Sequence, residues 1–184
     1  IANAAGAVCG MVEMETPAAE DKPLIGATMF GVTTPCVTRV RQALEQHGYE
    51  VLVFHATGTG GQAMESLIED GFITAVADIT TTEWTDEVCG GVLSAGPARL
   101  DAGAKTGIPQ VIVPGALDMC NFGPMDTVPE HYRQRNLYVH NPTVTLMRTT
   151  PEEAVKIGEI IGGKVSAAKG PTVVMIPLKG VSAI

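Results

Sequence analysis

A chain of 184 residues with 45% hydrophobic residues and a mean hydropathy of +0.20 carries enough apolar matter to bury one core, which excludes a disordered segment. Aromatic residues make up only 4%, so that core is aliphatic, as suits α/β packing. The balance of 12 basic against 20 acidic residues, with the bases scattered, excludes a nucleic-acid backbone as partner, and no apolar run is long enough to span a bilayer. Cys9, Cys36, Cys89 and Cys120 lie far apart, with no C-x-x-C and no histidine pair. That spacing makes no zinc site and predicts buried or half-buried thiols of a reducing, cytoplasmic compartment.

Residues 1–22, apolar and small at first and then rich in Pro, Ala and acids between Glu13 and Pro23, predict a helix or linker arriving from an upstream domain. The globular part is expected over 23–184. Leu24–Phe30 is a first buried strand. Thr34 as N-cap and Pro35 as first helical residue then open a helix whose face is Val37, Val40 and Leu44. Glu50–Phe54 is a second strand, followed by a helix with Met64, Leu67 and Ile68 on one side. Ile73–Ile79 is the third strand. Helices are expected at Trp84–Val88 and Pro97–Lys105, and a fourth strand at Ile108–Val113. A long irregular stretch runs from Pro114 past Tyr132, and loops of that length are usually functional. Leu137–Thr149 reads as extended. Thr150-Pro151-Glu152-Glu153 is a capping box opening a long helix with Ala154, Ile157, Ile161, Val165 and Ala168 buried. Thr172–Leu178 is a fifth strand, with Lys179–Ser182 as its exit loop.

Alternating strands and helices predict an open, doubly wound parallel sheet, Rossmann-like, of about five strands with helices on both faces. Ligands of such sheets lie outside the carboxyl ends of the strands. Here those ends carry Gly31, Thr33 and Thr34; Thr57, Gly58, Thr59, Gly60 and Gly61; Thr80, Thr81 and Thr82; and Gly115 and Asp118. The Thr57–Gly61 turn, between a strand and a helix, predicts a cradle of backbone N–H groups for a phosphate or carboxylate. Gly58-Thr59-Gly60-Gly61-Gln62-Ala63 also matches G-x-G-x-x-A, with Asp78 where a ribose-binding acid would stand, so a nicotinamide dinucleotide is an alternative. There is no Walker G-x-x-x-x-G-K, and backbone amides would hold a phosphate, helped by Arg148 or Lys179. The threonines serve equally as helix caps. Asp118 and Asn121 suit a sugar hydroxyl, a metal-bound water or an ordinary turn. His55 and His140 are acid-base candidates, and Glu65 and Glu83 sit where helix dipoles attract carboxylates.

Several motifs in order go further: Phe30-Gly31-Val32-Thr33-Thr34-Pro35, Val53–Gly61, Asp78-Ile79-Thr80-Thr81-Thr82-Glu83, Leu93-Ser94-Ala95-Gly96-Pro97, Pro114–Asp118, His140-Asn141-Pro142 and Arg148–Glu153. Together, from about Pro23 onward, they resemble the second half of the ATP-binding family similar to the tomato mosaic virus resistance protein. The resemblance implies a two-domain protein with Rossmann-like halves, ATP binding, and, in the plant member, binding to a viral replication protein; magnesium is the ion expected to accompany ATP. The expectation is therefore a domain that binds a nucleotide or another phosphorylated or carboxylated small molecule, within a homo-oligomer that includes an N-terminal domain. The alternatives are an interaction module whose nucleotide is structural and an NAD(P)-dependent enzyme. No residue is assigned a catalytic role and none is expected to hold a metal.

Overall fold

The computed structural model describes residues 1–15 and 21–178. The exit loop at Lys179–Ser182 and part of the Glu13–Pro23 linker lie outside the described residues. Five strands, β1 (Leu24–Met29), β2 (Glu50–His55), β3 (Ala75–Asp78), β4 (Gln110–Ile112) and a last strand (Thr172–Val174), form one parallel sheet, with the last strand at the edge beyond β4. Going outward from β2, the order is β2, β1, β3, β4 and that last strand. After β1 the chain moves to one side, and after β2 it returns to the other. The topological switch point therefore lies between β1 and β3, the crevice where open α/β sheets hold ligands.

The helices cover both faces because adjacent strand residues point to opposite sides. Helix α2 (Thr34–Gln46) packs Val37 on Ile25, Ala27, Val51 and Ala77. Neighbouring Val76 faces the other way, onto Met64 and Ile68 of α3 (Thr59–Glu69) and Ala102 of α5 (Asp101–Thr106). Trp84 of α4 (Glu83–Cys89) and Ile157 and Ile161 of α6 (Pro151–Ser166) close around Ile112. The expected capping box opens α6: Glu153 N–H donates to Thr150 Oγ1 at 3.2 Å and Thr150 N–H to Glu153 Oε2 at 2.8 Å. Helix α2 begins one residue early, with Thr33 at the cap position and Thr34 Oγ1 donating instead to the Gly31 carbonyl. Helix α5 starts at Asp101, four residues later than its expected start at Pro97.

The stretch read as irregular contains a strand. β5 (Met119–Phe122) pairs antiparallel with β7 (Val144–Arg148), which pairs with β6 (Leu137–Asn141), so a second, three-stranded sheet stands between β4 and α6. All four residues of β5 are buried, so the in-out alternation that reveals a strand is missing. Buried polar groups tie this sheet to α4. Thr85 Oγ1 donates to the Met119 carbonyl, and Asp86 accepts both the backbone N–H and the Nδ2–H of Asn121. The last strand of the parallel sheet, β8 (Thr172–Val174), is shorter than expected and leaves Val173 56% exposed. The N-terminal helix α1 (Ala2–Glu13) exists as expected but buries none of its residues.

Candidate functional site

The glycine turn after β2 does hold an anion, and that anion belongs to the chain. Glu83, the first residue of α4, is 1% exposed and places Oε1 against the N–H groups of Gly58 (2.8 Å) and Gly61 (3.0 Å). The N-terminus of α3 is thereby satisfied by a carboxylate, as a helix dipole favours. Close approach explains the glycines. A Cβ on Gly61 would stand 2.3 Å from Glu83 Oε2, and one on Gly60 would stand 1.8 Å from the His55 carbonyl oxygen. Gly58, Gly60 and Gly61 are thus structural. Two of the turn's donors, the Gly58 and Gly61 N–H groups, are thus taken by Glu83, which weighs against a ligand phosphate at this turn.

Glu83 is one corner of a buried charge cluster. Arg99, 1% exposed, donates from Nε to Glu83 Oε2 (2.7 Å), from both terminal nitrogens to Asp78 (2.6 and 2.8 Å), and from Nη1 to Glu65 (3.2 Å). Glu65 also accepts the N–H groups of Leu100 and Ala102, capping α5 across space. Asp78 is fully buried in the Arg99 fork and accepts the Thr28 hydroxyl at 2.6 Å, so it presents no oxygen to a ribose, and the dinucleotide reading of Asp78 is corrected.

Three carboxylates around one guanidinium leave two negative charges in excess if all ionise. Burial accordingly pushes the Glu65 and Glu83 carboxyls up, with Arg99 opposing, and burial also raises Asp86 against its donors Asn121 and Leu93. Burial would lower the Arg99 pKa, but Asp78, then Glu83 and Glu65, hold it above the ordinary guanidinium value. A carboxyl raised in the folded state binds protons more tightly there than in the unfolded chain. Its contribution is therefore full below the unfolded pKa and is lost as pH rises through the folded one. Glu153, hydrogen-bonded by Arg135, and Asp101, where bonds from Lys164 and Lys105 prevail over burial, are lowered and act in the opposite sense. Urea unfolding is expected to show higher stability near about pH 5 than near about pH 8, with decline on further acidification. A stability that climbs steadily across that range contradicts the cluster as described.

The accessible space lies on the other side of β1. The carboxyl ends of β1, β3, β4 and β8 open, at Thr33, Ile79, Val113 and Pro177, into a cleft of about 1030 Å³. Its opposite wall comes from the insertion and α6: Asp118, Arg148, Thr149, Thr150 and Ala154. It spans the switch point, and its volume is at the upper end for small-molecule sites. Arg148 and Asp118 face each other across 3.6 Å with side chains 41% and 32% exposed. The Thr149 N–H on the Asp118 carbonyl and the Thr149 hydroxyl on the Leu117 carbonyl hold that wall in register.

Of the residues expected at the sheet edge, Thr33 and Asp118 line this cleft, while Gly31 and Thr34 line a neighbouring depression along α2. Thr80, Thr81 and Thr82 are fully buried behind it. The Thr80 hydroxyl bonds that of Thr33 at 2.8 Å and Thr81 donates to the Val113 carbonyl, so these two hold strand ends together. Thr82 Oγ1 has no partner among the described residues. Gly115 is needed because a Cβ would lie 2.1 Å from the Ile79 carbonyl. Thr57 and Thr59, on the β2 side, are not in the cleft wall; Thr57 donates back to the His55 carbonyl. Asn121 is buried on Asp86 and is not in the cleft wall, and His55 stacks on Phe30 with centroids 5.5 Å apart. Arg148 does line the cleft. Cys36, expected buried or half-buried, is exposed at its wall, as Cys9 is at the surface. No local sequence pattern marks Arg99; the sequence signal for the cluster is a set of acids, Glu65, Asp78 and Glu83, with no local base.

The description Uncharacterised protein family (UPF0261) C-terminal domain matches residues 22–184. The chain is 63% identical, over 100% of its length, to a UPF0261 protein of Clostridium tetani, and 53% identical, over 99%, to one of Mesorhizobium japonicum. It is 48% identical over 100% of its length to the ToMV resistance protein Tm-1(GCR237) of Solanum lycopersicum. It spans 46% of each of those bacterial proteins and 25% of the tomato one. The motifs that the sequence shares with the tomato protein's family, and the match over nearly all of the parallel-sheet domain, lead to one assignment: this chain belongs to the UPF0261 family, in its C-terminal domain.

Proposed function

We propose that this domain binds a phosphorylated or carboxylated small molecule in the cleft outside β1, β3, β4 and β8. The observation that carries the reading is the cleft itself: it lies at the switch point of a parallel sheet and combines an arginine with hydroxyls and an apolar wall. ATP, with magnesium, is the nucleotide that the resemblance brings forward, and it is the first ligand to measure. The domain acts within a longer, oligomeric protein of the cytoplasm, and the free thiols of Cys9 and Cys36 at its surface fit a reducing compartment. Whether the bound molecule is turned over is a property of the whole protein.

Thermal unfolding of the intact protein with ATP and with a panel of carboxylates tests the reading, alongside Ala154→Phe, which fills the cleft from α6. At a ligand concentration of about 100 times Kd the expected stabilisation is about 2.7 kcal/mol, and it should vanish in the variant. Stabilisation that survives the filled cleft moves the site elsewhere. A second reading, a surface for a protein partner, is favoured by β6, an edge strand whose Tyr138 and Val139 are 50% and 55% exposed.

A further inference from the structure

Two of the four cysteines meet where the inserted sheet packs on α4. Cys89 ends that helix and Cys120 stands in β5, both buried in one apolar group with Phe122, Val128 and Met147. The segments that carry them run side by side: the Val92 N–H donates to the Asn121 carbonyl at 2.8 Å, and a Cβ on Gly91 would stand 2.5 Å from Cys120 Sγ. The two thiols lie within hydrogen-bonding reach of each other, with Cys120 as donor. Cys120 Sγ also reaches Asp86 Oδ1 at 3.8 Å. Cys120 is fully enclosed, whereas Cys89 is 5% exposed and lies under Glu153, whose pair with Arg135 leaves the two side chains 18% and 24% exposed. A buried cysteine alone is a small apolar side chain. A second thiol in reach, with a carboxylate behind it, is a chemical arrangement.

We propose that Cys89 and Cys120 are a modification site: a dithiol that a peroxide closes to a reversible disulfide, tying the end of α4 to β5. The proposal does not depend on what the cleft holds, although the sheet it fastens is the one that brings Asp118 and Arg148 to the cleft wall. The hydrogen bond from Cys120 draws the Cys89 thiol below its ordinary value against the opposing effect of burial, and the same bond, with burial, pushes Cys120 up. Cys89, the less enclosed of the two, is thus the attacking thiolate and Cys120 the thiol that follows. Cys89 sulfur attacks one oxygen of the peroxide, the S–O bond forms as the O–O bond breaks, and the hydroxide released takes up the proton that Cys89 had lost. Cys120 then passes its proton to Asp86, and its sulfur attacks that of Cys89. The S–S bond forms, the S–O bond breaks, and the departing hydroxide leaves as water with the Asp86 proton. Two thiols and one hydrogen peroxide become a disulfide and two waters, the sulfurs oxidised and the peroxide oxygens reduced. A bond of this kind in a reducing compartment is transient and reports oxidant.

Peptide mapping of the intact, folded protein decides the matter. The protein is treated with hydrogen peroxide without denaturant, quenched, unfolded, alkylated and digested without reductant, and the same is done with Cys9→Ser and Cys36→Ser in place so that the exposed thiols take no part. The expected product joins the peptides of Cys89 and Cys120 at their summed mass less two hydrogens, and dithiothreitol returns both thiols. Cys120→Ser should stop Cys89 at the sulfenic acid, captured by dimedone, and Cys89→Ser should leave Cys120 unmodified. Oxidised protein should also unfold at a higher urea concentration than reduced protein, because the bond closes a loop in the unfolded chain. The map of unsubstituted protein suffices for the disulfide itself, so a poorly folded variant does not remove the test. Retention of both thiols at a peroxide dose that fully oxidises free glutathione in the same solution overturns the proposal. So does oxidation of either cysteine to a sulfinic acid with no joined peptide. A joined peptide with a lowered urea midpoint overturns the placement of the two thiols for a bond without backbone movement.

Discussion

Arg99→Met is expected to cost about 3–5 kcal/mol in urea unfolding, or to prevent folding, because it strips the shared cation from two buried carboxylates and one partly buried one. A methionine fills much of the same volume, so the loss is electrostatic in origin. Asp78 and Glu83, both with fully buried side chains, would each have to take up a proton or carry an unpaired charge. Adding Asp78→Asn to Arg99→Met should therefore return part of the loss. A double-mutant cycle on this pair is expected to give a coupling of about 1–3 kcal/mol. Additive effects of the two substitutions would show that Arg99 acts through packing alone. The cluster is not itself evidence of high stability, since buried ion pairs often exchange for apolar residues without loss. What it does is join four segments, α3, β3, α4 and the turn before α5, in one arrangement.

The second large effect concerns the glycine turn. Gly60→Val should destabilise by about 3 kcal/mol or more, because even its first carbon would meet the His55 carbonyl at 1.8 Å, and backbone has little room to yield. Gly61→Ala drives a methyl against the Glu83 carboxylate and should cost about 1–3 kcal/mol. Neither residue lines the cleft. Protein carrying Gly61→Ala that still folds is expected to bind cleft ligands with unchanged affinity, whereas a phosphate-cradling turn would lose them. Calorimetry on that variant separates the two roles. A tenfold fall in affinity at preserved fold would return the turn to the ligand site.

These two effects also mark where reading the chain reached its limit. The Thr57–Gly61 turn is legible as an anion cradle from glycines at a strand-to-helix exit, since that depends on local backbone geometry. Which anion fills it is a tertiary fact: Glu83 comes from 22 to 25 residues further on, brought by β3 lying beside β1. Arg99 was illegible for a related reason. Burial of a charge is decided by partners that assemble only in the fold, and the apolar periodicity that reveals core residues does not mark it. The threonines after β1 and β3 do converge, as expected, but Thr80 and Thr81 hold the strand ends while Thr33 faces the open space.

Local pattern by itself determined the five parallel strands, the helices between them and the capping box at Thr150, because each follows from apolar period, caps and the geometry of strand-to-helix exits. Motifs in order sufficed for the family as well. Only the tertiary structure decided that Glu83 closes the glycine turn, that Arg99 joins Asp78, Glu65 and Glu83, and that the inserted β5–β7 sheet supplies a wall to the cleft. The reason is distance along the chain. Those contacts join residues from 16 to more than 100 positions apart, where no local period or cap carries information about the partner.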